Sequence, residues 1–364
     1  MNNQPKIYKY KTLSNLVVRL RDDFINNQNF VLLYAYNGTG KTRLSMEFKD
    51  KGKKRGNRDT LYFNAFTEDL FHWDNDLKND SERVLKITSN SNFFNGFKEL
   101  ALEEKIFAYL ERYAEFNFKI DYEKWTITFS KGDENHIKVS RGEENIFIWC
   151  IFLAICELVI DGSESYKWVK YIYIDDPISS LDDNNAIAVA SDLSQLLKKG
   201  KDKIKTVISS HHSLFFNVMY NELKRSQCSQ YFLHKNGDKG YILQKTDETP
   251  FFHHVALLSE LKQAIESDKI NTYHFNMLRS ILEKTATFFG FNDFSACIYG
   301  IDDDVLYARA LNLLSHGKYS VYEPVKMTDD NKKLFKNILQ AFLGKYKFDL
   351  PELLKEPTTK SSKI

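Results

Sequence analysis

The stretch AYNGTGKT, residues 35–42, decides the fold class of this chain. It matches the pattern of a phosphate-binding loop except at its first position, where Ala35 replaces a glycine. Gly38 and Gly40 allow the backbone to turn its N–H groups inward around phosphate oxygens. The apolar run Phe30–Tyr34 precedes the stretch and a helical pattern follows it, so the sequence predicts a strand, a phosphate loop and a helix in that order.

The polar side chains of this loop have separate predicted tasks. Lys41 reaches the β and γ phosphates of a nucleoside triphosphate, and the hydroxyl of Thr42 binds Mg²⁺. The alternative interpretation is an ordinary glycine turn between a strand and a helix. The residues of the loop that we predict to bind nucleotide are Asn37, Gly38, Thr39, Gly40, Lys41 and Thr42.

Two adjacent carboxylates, Asp175 and Asp176, end the strand-like run YIYI at residues 171–174. A carboxylate at the tip of such a strand lies beside a phosphate loop and holds Mg²⁺ through water. We therefore assign Asp175 to the magnesium site together with Thr42. Asp176 takes the position of a catalytic base, where a glutamate is more usual. On its own, a pair of aspartates at a strand end is more typical of a turn.

Two further segments complete a set of motifs. VSRGEEN, residues 139–145, precedes a long apolar helical pattern, and SSHH, residues 209–212, follows a buried strand. The first resembles the Leu-Ser-Gly-Gly signature of ABC-type ATPases, and the second has His211 where that class carries its switch histidine. A loop that includes Asp182 lies between the two segments. The motifs thus occur in the order of an ABC-type nucleotide-binding head.

This resemblance implies an assembly as well as a fold. In ABC-type ATPases the signature of one protomer, here Ser140 and Gly142, covers the nucleotide held by the phosphate loop of the other. We therefore expect a homodimer or a higher oligomer through the heads, with ATP or GTP and Mg²⁺ bound in the head only. Too few residues separate Lys41 from the signature for the coiled-coil arms of SMC-type proteins. The lack of a membrane segment argues against a transporter subunit.

The pattern of the remaining sequence divides the chain into domains. Strand patterns alternate with helical patterns through the first part, which predicts a mixed, mainly parallel sheet with both faces covered. Residues 116–140 alternate as antiparallel strands, and residues 229–245 form a hairpin pattern. We therefore predict an α/β nucleotide-binding domain over residues 1–249, a mostly helical second domain over residues 250–355, and a disordered tail over residues 356–364.

Composition limits the classes of function. The chain has 364 residues, of which 43% are hydrophobic, and its net charge is only +2. These values indicate packed globular domains and exclude an overall basic field as the basis for binding nucleic acid. The longest apolar run is shorter than the roughly 20 residues that span a bilayer, and the N-terminus lacks a secretory signal. We expect a cytoplasmic protein that has no membrane partner and keeps its four cysteines reduced.

The predicted helical domain carries a candidate reaction centre. Arg279 and Glu283 lie one helical turn apart in MLRSILEKTATFFG, residues 277–290, and His316 follows in a Ser-His-Gly segment. An i,i+4 pair of opposite charges alone indicates a structural ion pair. Together with a histidine, the pair also fits RNA cleavage by internal transesterification, which requires no metal. Glu283 would remove the proton of the ribose 2′-OH, His316 would protonate the departing 5′ oxygen, and Arg279 would bind the phosphate.

An ABC-type head followed by a helical domain with Arg-x-x-x-Glu and a distant histidine resembles the bacterial anticodon nuclease family of the PrrC type. The resemblance extends over nearly the whole chain and includes YFNAFTEDLFHWDND, which begins at Tyr62. It implies a tRNA anticodon-loop endoribonuclease with Arg279, Glu283 and His316 as catalytic residues, giving a 2′,3′-cyclic phosphate and a 5′-OH. It further implies lysine tRNA as substrate and a role in anti-phage defence. A type I DNA restriction-modification complex would hold the nuclease silent until the nucleotide state of the heads releases it.

One alternative function stays open on the sequence. An ABC-type sensor ATPase without nuclease activity, which restrains a separate toxin in a phage-defence complex, would share every motif of the head. Only the set of Arg279, Glu283 and His316 distinguishes the two functions. The basic runs at residues 49–58 and 198–205 are either solvated loops or contacts to the tRNA backbone.

Overall fold

The computed structural model of the chain describes most of the first 246 residues and two longer stretches beyond them. The described residues are 6–54, 56, 58–64, 67, 70–74, 83–88, 91–94, 102–177, 183–235, 240–246, 258, 261–262, 264–298 and 327–346. The chain divides into two compact units. The first is Ile7–Asp247, and the second contains Glu248–Ile364 together with Met1–Lys6.

The first unit contains all of the described strands and six of the described helices. Its strands are β1 (Ile7–Tyr10), β2 (Phe30–Tyr34), β3 (Thr60–Phe63), β4 (Phe71–Asp74), β5 (Val84–Ile87), β6 (Asn117–Asp121), β7 (Thr126–Lys131), β8 (Glu134–Asn135), β9 (Tyr171–Asp175), β10 (Lys205–Ser210), β11 (Cys228–Lys235) and β12 (Tyr241–Lys245). Its helices are α1 (Leu13–Ile25), α2 (Lys41–Lys54), α3 (Leu102–Leu110), α4 (Arg141–Asp161), α5 (Asp183–Gly200) and α6 (Ser213–Leu223), and short 3-10 helices lie at Asn92–Phe94 and Glu164–Tyr166.

Seven strands form one sheet in the order β1, β12, β11, β2, β10, β9, β3. The five strands from β11 to β3 run parallel to their neighbours, and β12 pairs antiparallel with both β11 and β1. Every residue of β2, with the sequence FVLLY, is buried. A continuous apolar run of this kind is what a central parallel strand covered on both faces requires. The predicted α/β class with a mixed, mainly parallel sheet is confirmed.

One face of this sheet packs against α1 and α2. α1 contributes Leu16, Val17 and Leu20 to a fully buried cluster, and α2 contributes Leu44 and Phe48. The strands opposite them supply alternate residues of a pleated surface, because successive side chains point to opposite faces. These strand residues include Val31, Leu33, Tyr173 and Val207. The packing holds the beginning of α2 against the ends of β2 and β9.

A second sheet is antiparallel, in the order β4, β5, β7, β6, with β8 paired to β7. α4 lies between the two sheets, since Phe147 contacts Phe129 of β7 at 5.0 Å between ring centres while Trp149 contacts Phe63 of β3 at 5.2 Å. A helix that packs on two sides must be apolar on most of its surface. The long buried run of α4, from Asn145 to Cys156, follows from this position.

The described elements of the second unit are helical. They are α7 (Thr272–Phe289), a 3-10 helix at Phe294–Cys297, and α8 (Asp329–Lys345). Phe275 of α7 and Phe335 of α8 are fully buried, with ring centres 5.0 Å apart, so the two helices share an apolar contact. The predicted tail at residues 356–364 lies outside the described residues, and the predicted domain limits stay predictions. No helix within the described ranges is long and apolar enough to cross a membrane.

Candidate functional site

The phosphate loop connects β2 to α2. Gly38 has φ +80° and Gly40 has φ +103°, both in the left-handed region that favours glycine. A Cβ atom at Gly38 would meet no atom within 4 Å, so backbone conformation rather than space accounts for a glycine there. Such a conformation turns backbone N–H groups toward one side, where they bind anions. The loop therefore fits the phosphates of a nucleotide.

The ammonium group of Lys41 lies at the point where the loop and the end of β9 meet. Its Nζ donates to the carbonyl oxygen of Ala35 at 3.1 Å and to Oδ1 of Asn37 at 3.2 Å, and it is 3.3 Å from Oδ2 of Asp176. Only 6% of the Lys41 side chain is exposed. A buried cation requires such oxygen partners, and the same atoms hold it next to the phosphate loop.

Asp175 ends β9 and is almost fully buried. The Ser209 hydroxyl donates to its Oδ1 at 2.6 Å, Ser45 Oγ lies 3.4 Å from its Oδ2, and the side chain of Thr42 also bonds it. Burial raises the pKa of Asp175, and the bonds from Ser209 and Thr42 offset that rise only in part. A hydroxyl and a carboxylate in contact are the oxygen ligands that Mg²⁺ prefers. Thr42 and Asp175 therefore fit the predicted magnesium site.

The neighbouring Asp176 has a different environment. Its φ of +54° is a left-handed conformation that aspartate tolerates better than most residues, and it turns the side chain toward Lys41 and His211. Nδ1 of His211 is 2.6 Å from Oδ2 of Asp176, and the Ser210 hydroxyl donates to Oδ1 at 3.2 Å. Burial alone would raise the pKa of Asp176, but the contact with His211 and the charge of Lys41 outweigh it and lower the pKa to about 2. Asp176 is thus held as a carboxylate.

The residues of the proposed signature lie at the beginning of α4. Ser140 is the N-cap of this helix: its hydroxyl accepts from the N–H of Glu143 at 3.3 Å, and its own N–H donates to the Glu143 carboxylate at 2.8 Å. Ser140 and Gly142 are both exposed. The exposed position suits a contact with a partner protomer, while the capping bonds are a sufficient structural reason for the serine. Asp182 lies outside the described residues.

Four residues around the carboxylates were not predicted from the sequence: Ser45, Tyr62, Asn64 and Ser209. Ser45 Oγ and Tyr62 Oη are 2.8 Å apart, and the Asn64 amide donates to Tyr62 Oη at 2.8 Å. Ser45 follows Thr42 by three residues on a helix, which would have placed both on one face. Tyr62 and Asn64 belong to the segment YFNAFTEDLFHWDND, and these contacts give that segment a physical role next to Asp175.

Arg279 and Glu283 lie on α7, where Nε of Arg279 donates to Oε1 of Glu283 at 2.7 Å. The guanidinium also lies 5.4 Å from the ring centre of Phe294. The side chain of Glu283 is 49% exposed, so a substrate can reach its carboxylate. His316 lies outside the described residues. His212, the last residue of SSHH, is the N-cap of α6, where its Nδ1 accepts from the N–H of Phe215 at 3.2 Å.

Comparison with known proteins identifies the family. A family described as an AAA domain matches residues 98–344. An anticodon nuclease from Escherichia coli is 36% identical to this chain over 355 residues, an alignment that covers 86% of this chain and 89% of that protein. The chain belongs to the anticodon nuclease family. The predicted family and the predicted class of enzyme, a nuclease with an ATPase domain, are therefore confirmed.

Solved structures give a weaker comparison. An SMC head domain from Thermotoga maritima is 13% identical, with a TM-score of 0.29, over 58% of this chain and 88% of that chain. An Smc head domain with a coiled coil and joint from Pyrococcus yayanosii is 12% identical, with a TM-score of 0.28, over 41% of this chain and 27% of that chain. The alignment thus spans well under half of the Pyrococcus chain, and at these TM-scores neither likeness supports an argument. The α/β class of this chain therefore rests on its own sheet topology.

Proposed function

We propose that this chain is a nucleotide-gated endoribonuclease that cuts tRNA in its anticodon loop. The observation that carries the proposal is the 36% identity to an anticodon nuclease over most of both chains. The contact between Arg279 and Glu283 supports it, because a guanidinium and an accessible carboxylate are within reach of one phosphodiester. These are two of the three groups that a metal-independent transesterification requires.

In the proposed reaction Glu283 accepts the proton of a ribose 2′-OH. The 2′ oxygen then forms a bond to the adjacent phosphorus, and the bond from phosphorus to the 5′ oxygen breaks. His316 donates a proton to that departing oxygen. Arg279 binds the phosphate oxygens on which negative charge accumulates. The products are a 2′,3′-cyclic phosphate and a 5′-OH.

The ion pair on α7 is compatible with this reaction. A guanidinium carries five N–H donors, and Nε of Arg279 donates to Glu283 at 2.7 Å. A bound RNA phosphate would compete with Glu283 for the guanidinium and release the carboxylate to act as a base. The same pair therefore stabilises α7 weakly before substrate binds and supplies two catalytic groups afterwards.

The head is proposed to bind ATP or GTP. The phosphate loop from Asn37 to Thr42 holds the phosphates, and Thr42 and Asp175 hold Mg²⁺, which when bound neutralises phosphate charge. Asp176 orients the attacking water as a base, and His211 contacts the same carboxylate. Ser140 and Gly142 of one protomer would cover the nucleotide of its partner in a head-to-tail dimer, and Asp182 would line the same site.

The biological setting is proposed from the family. Lysine tRNA is the proposed substrate, and anti-phage defence is the proposed role of its cleavage in the cytoplasm. A type I DNA restriction-modification complex would hold the nuclease silent. The nucleotide state of the heads would release it when that complex is disabled.

The deciding experiment compares expression of the wild-type chain with that of His316→Ala. Wild type should cut lysine tRNA in the anticodon loop and leave 5′-OH ends, which end-mapping of cellular tRNA detects. His316→Ala should leave the tRNA intact, while His212→Ala, a histidine with a capping role, serves as the matched control and should still cut. Equal toxicity with intact tRNA in both strains would contradict the nuclease and favour a sensor ATPase that restrains a separate toxin.

A further inference from the structure

A cavity of about 490 Å³ opens on the first unit beside α2. Its described lining includes three cations and three aromatic side chains: Lys49, Lys53, Arg58, Tyr62, Phe93 and Trp168. Met46, the lining residue of α2 nearest the phosphate loop, follows Thr42 by four residues, about 6 Å along the helix, and Lys49 follows it by seven. The described lining contains none of the residues assigned to the nucleotide phosphates or to Mg²⁺, although Tyr62 connects it through Ser45 to Asp175. It includes much of the basic run at residues 49–58.

The acidic groups described around this cavity are already paired. Asp59, the one carboxylate among the described lining residues, receives hydrogen bonds from Arg21 at 2.7 and 3.2 Å. Asp50, on α2, is 3.3 Å from Lys53, where both side chains are more than 40% exposed and water screens the pair. The positive charge of the described lining is thus only partly compensated.

Lys49 shows the effect of this excess charge. Its Nζ lies 4.8 Å from the ring centre of Tyr62, in a half-buried position at the cavity. Burial lowers the pKa of Lys49, and the charges of Lys53 and Arg58 lower it further, while Asp50 acts in the opposite direction. An anion in the cavity would relieve this repulsion.

The aromatic side chains indicate which class of anion fits. Rings of tyrosine, phenylalanine and tryptophan stack on nucleobases in proteins that bind single-stranded RNA, while lysine and arginine bind its phosphates. A free nucleoside triphosphate is bound with Mg²⁺, which proteins usually hold through one or two carboxylates in addition to the phosphates. The described lining offers only Asp59, which is bonded to Arg21, so the cavity suits phosphodiesters better than a magnesium nucleotide.

We propose that this cavity binds an unpaired nucleotide of an RNA, with Lys49, Lys53 and Arg58 on its backbone phosphates and the aromatic side chains against its base. The proposal rests on the proposed function only for the identity of the RNA. It assigns an RNA contact to the ATPase head, in addition to the reaction centre of the second unit.

The test measures RNA binding with cleavage switched off. A fluorescein-labelled RNA stem-loop with the anticodon-loop sequence of lysine tRNA is titrated with the full chain carrying Glu283→Gln, at several salt concentrations. Adding Lys53→Gln or Arg58→Gln should raise Kd by about 5-fold and lower the slope of log Kd against log salt by about one. Both side chains are exposed, so neither change should disturb the fold.

Lys124→Gln is the matched control, because Lys124 is an exposed cation of the same unit at the turn between β6 and β7. Equal Kd values and slopes for the control and the cavity variants would overturn the proposal. Quenching of tryptophan fluorescence in a Lys41→Ala variant by free ATP, but not by the RNA stem-loop, would also overturn it if Trp168→Phe abolishes that quenching. The proposed nuclease fails separately: a wild-type chain that binds the RNA through this cavity and leaves it uncut refutes only the catalytic proposal.

Discussion

The nucleotide site of the first unit and the ion pair of α7 differ in where their charged groups come from. The nucleotide site joins Lys41 of α2, two carboxylates at the end of β9 and His211 after β10, and Lys41 and Asp175 are almost fully buried. The α7 pair joins two residues of one helix, with Glu283 half exposed. Buried charges are unfavourable unless other groups pair with them. An exposed i,i+4 pair forms from helix geometry alone.

This difference separates two kinds of evidence for a site. Charges brought together from distant parts of the chain and buried have no local explanation, so their geometry itself indicates function. A pair within one helix has a sufficient local explanation and gains a proposed catalytic role only from the family and from His316. Substitutions test this distinction by measuring activity and stability on the same variant.

The largest expected effect is in the second unit. Glu283→Gln should reduce cleavage of lysine tRNA by about 10²–10⁴-fold, since the proposed general base is removed. The same variant should change the free energy of unfolding by no more than about 0.5 kcal/mol, because the Glu283 side chain is half exposed. End-labelled tRNA measures the first quantity and urea unfolding the second.

Glu164→Gln is the control for this prediction, because Glu164 is exposed and pairs with Lys167 at i,i+3 in the first unit. It should leave both quantities unchanged. Full cleavage by Glu283→Gln would show that the α7 pair is an ordinary helix contact without a catalytic role. A large loss of stability would show that the ion pair contributes more to the fold than an ordinary half-exposed helix pair.

The two regions also differ in what the sequence could predict. The strand, loop and helix around Lys41 follow from a local motif, and β9 from an apolar run that ends in two aspartates. The strands β4 and β5 were not predicted, because each has only four residues and β5 pairs with β7, whose Ile127 faces Leu85 from far along the chain. Tyr62 lies near the end of β9, where it bonds the Ser45 hydroxyl that contacts Asp175, because β3 lies beside β9, and no local pattern encodes that sheet order.

The second prediction concerns how the two adjacent carboxylates of the nucleotide site change the free energy of unfolding with pH. The pKa of Asp176 falls from 3.8 to about 2 on folding, so its ionisation stabilises the fold above pH about 4, and this stabilisation is lost as the pH falls to about 2. Asp176→Asn should therefore lower the free energy of unfolding by about 2 kcal/mol at pH 7, with a difference from wild type that vanishes near pH 2. Tryptophan fluorescence in urea reports this transition, since every tryptophan lies in the first unit.

For Asp175→Asn we expect the opposite dependence of stability on pH. Folding raises the pKa of Asp175, so its contribution to stability is present at low pH and is lost as the pH rises. Relative to wild type, Asp175→Asn should gain stability with rising pH while Asp176→Asn loses it. Parallel pH profiles for the two variants would contradict the assignment of opposite environments to these neighbouring carboxylates.

The smallest expected effect concerns Ser140, which has features of both regions, since it makes a local capping contact and is proposed to act across a dimer. Ser140→Ala should lower the free energy of unfolding by about 1 kcal/mol through loss of the cap of α4. Aspartate also caps helices well, so Ser140→Asp should keep the stability while it removes the hydroxyl and adds a negative charge toward the partner's nucleotide phosphates. If the signature is correct, Ser140→Asp unfolds like wild type and hydrolyses ATP more slowly at every protein concentration. If Ser140 only caps α4, hydrolysis by Ser140→Asp matches wild type, and a contact explained by local geometry would then have no part in the nucleotide site.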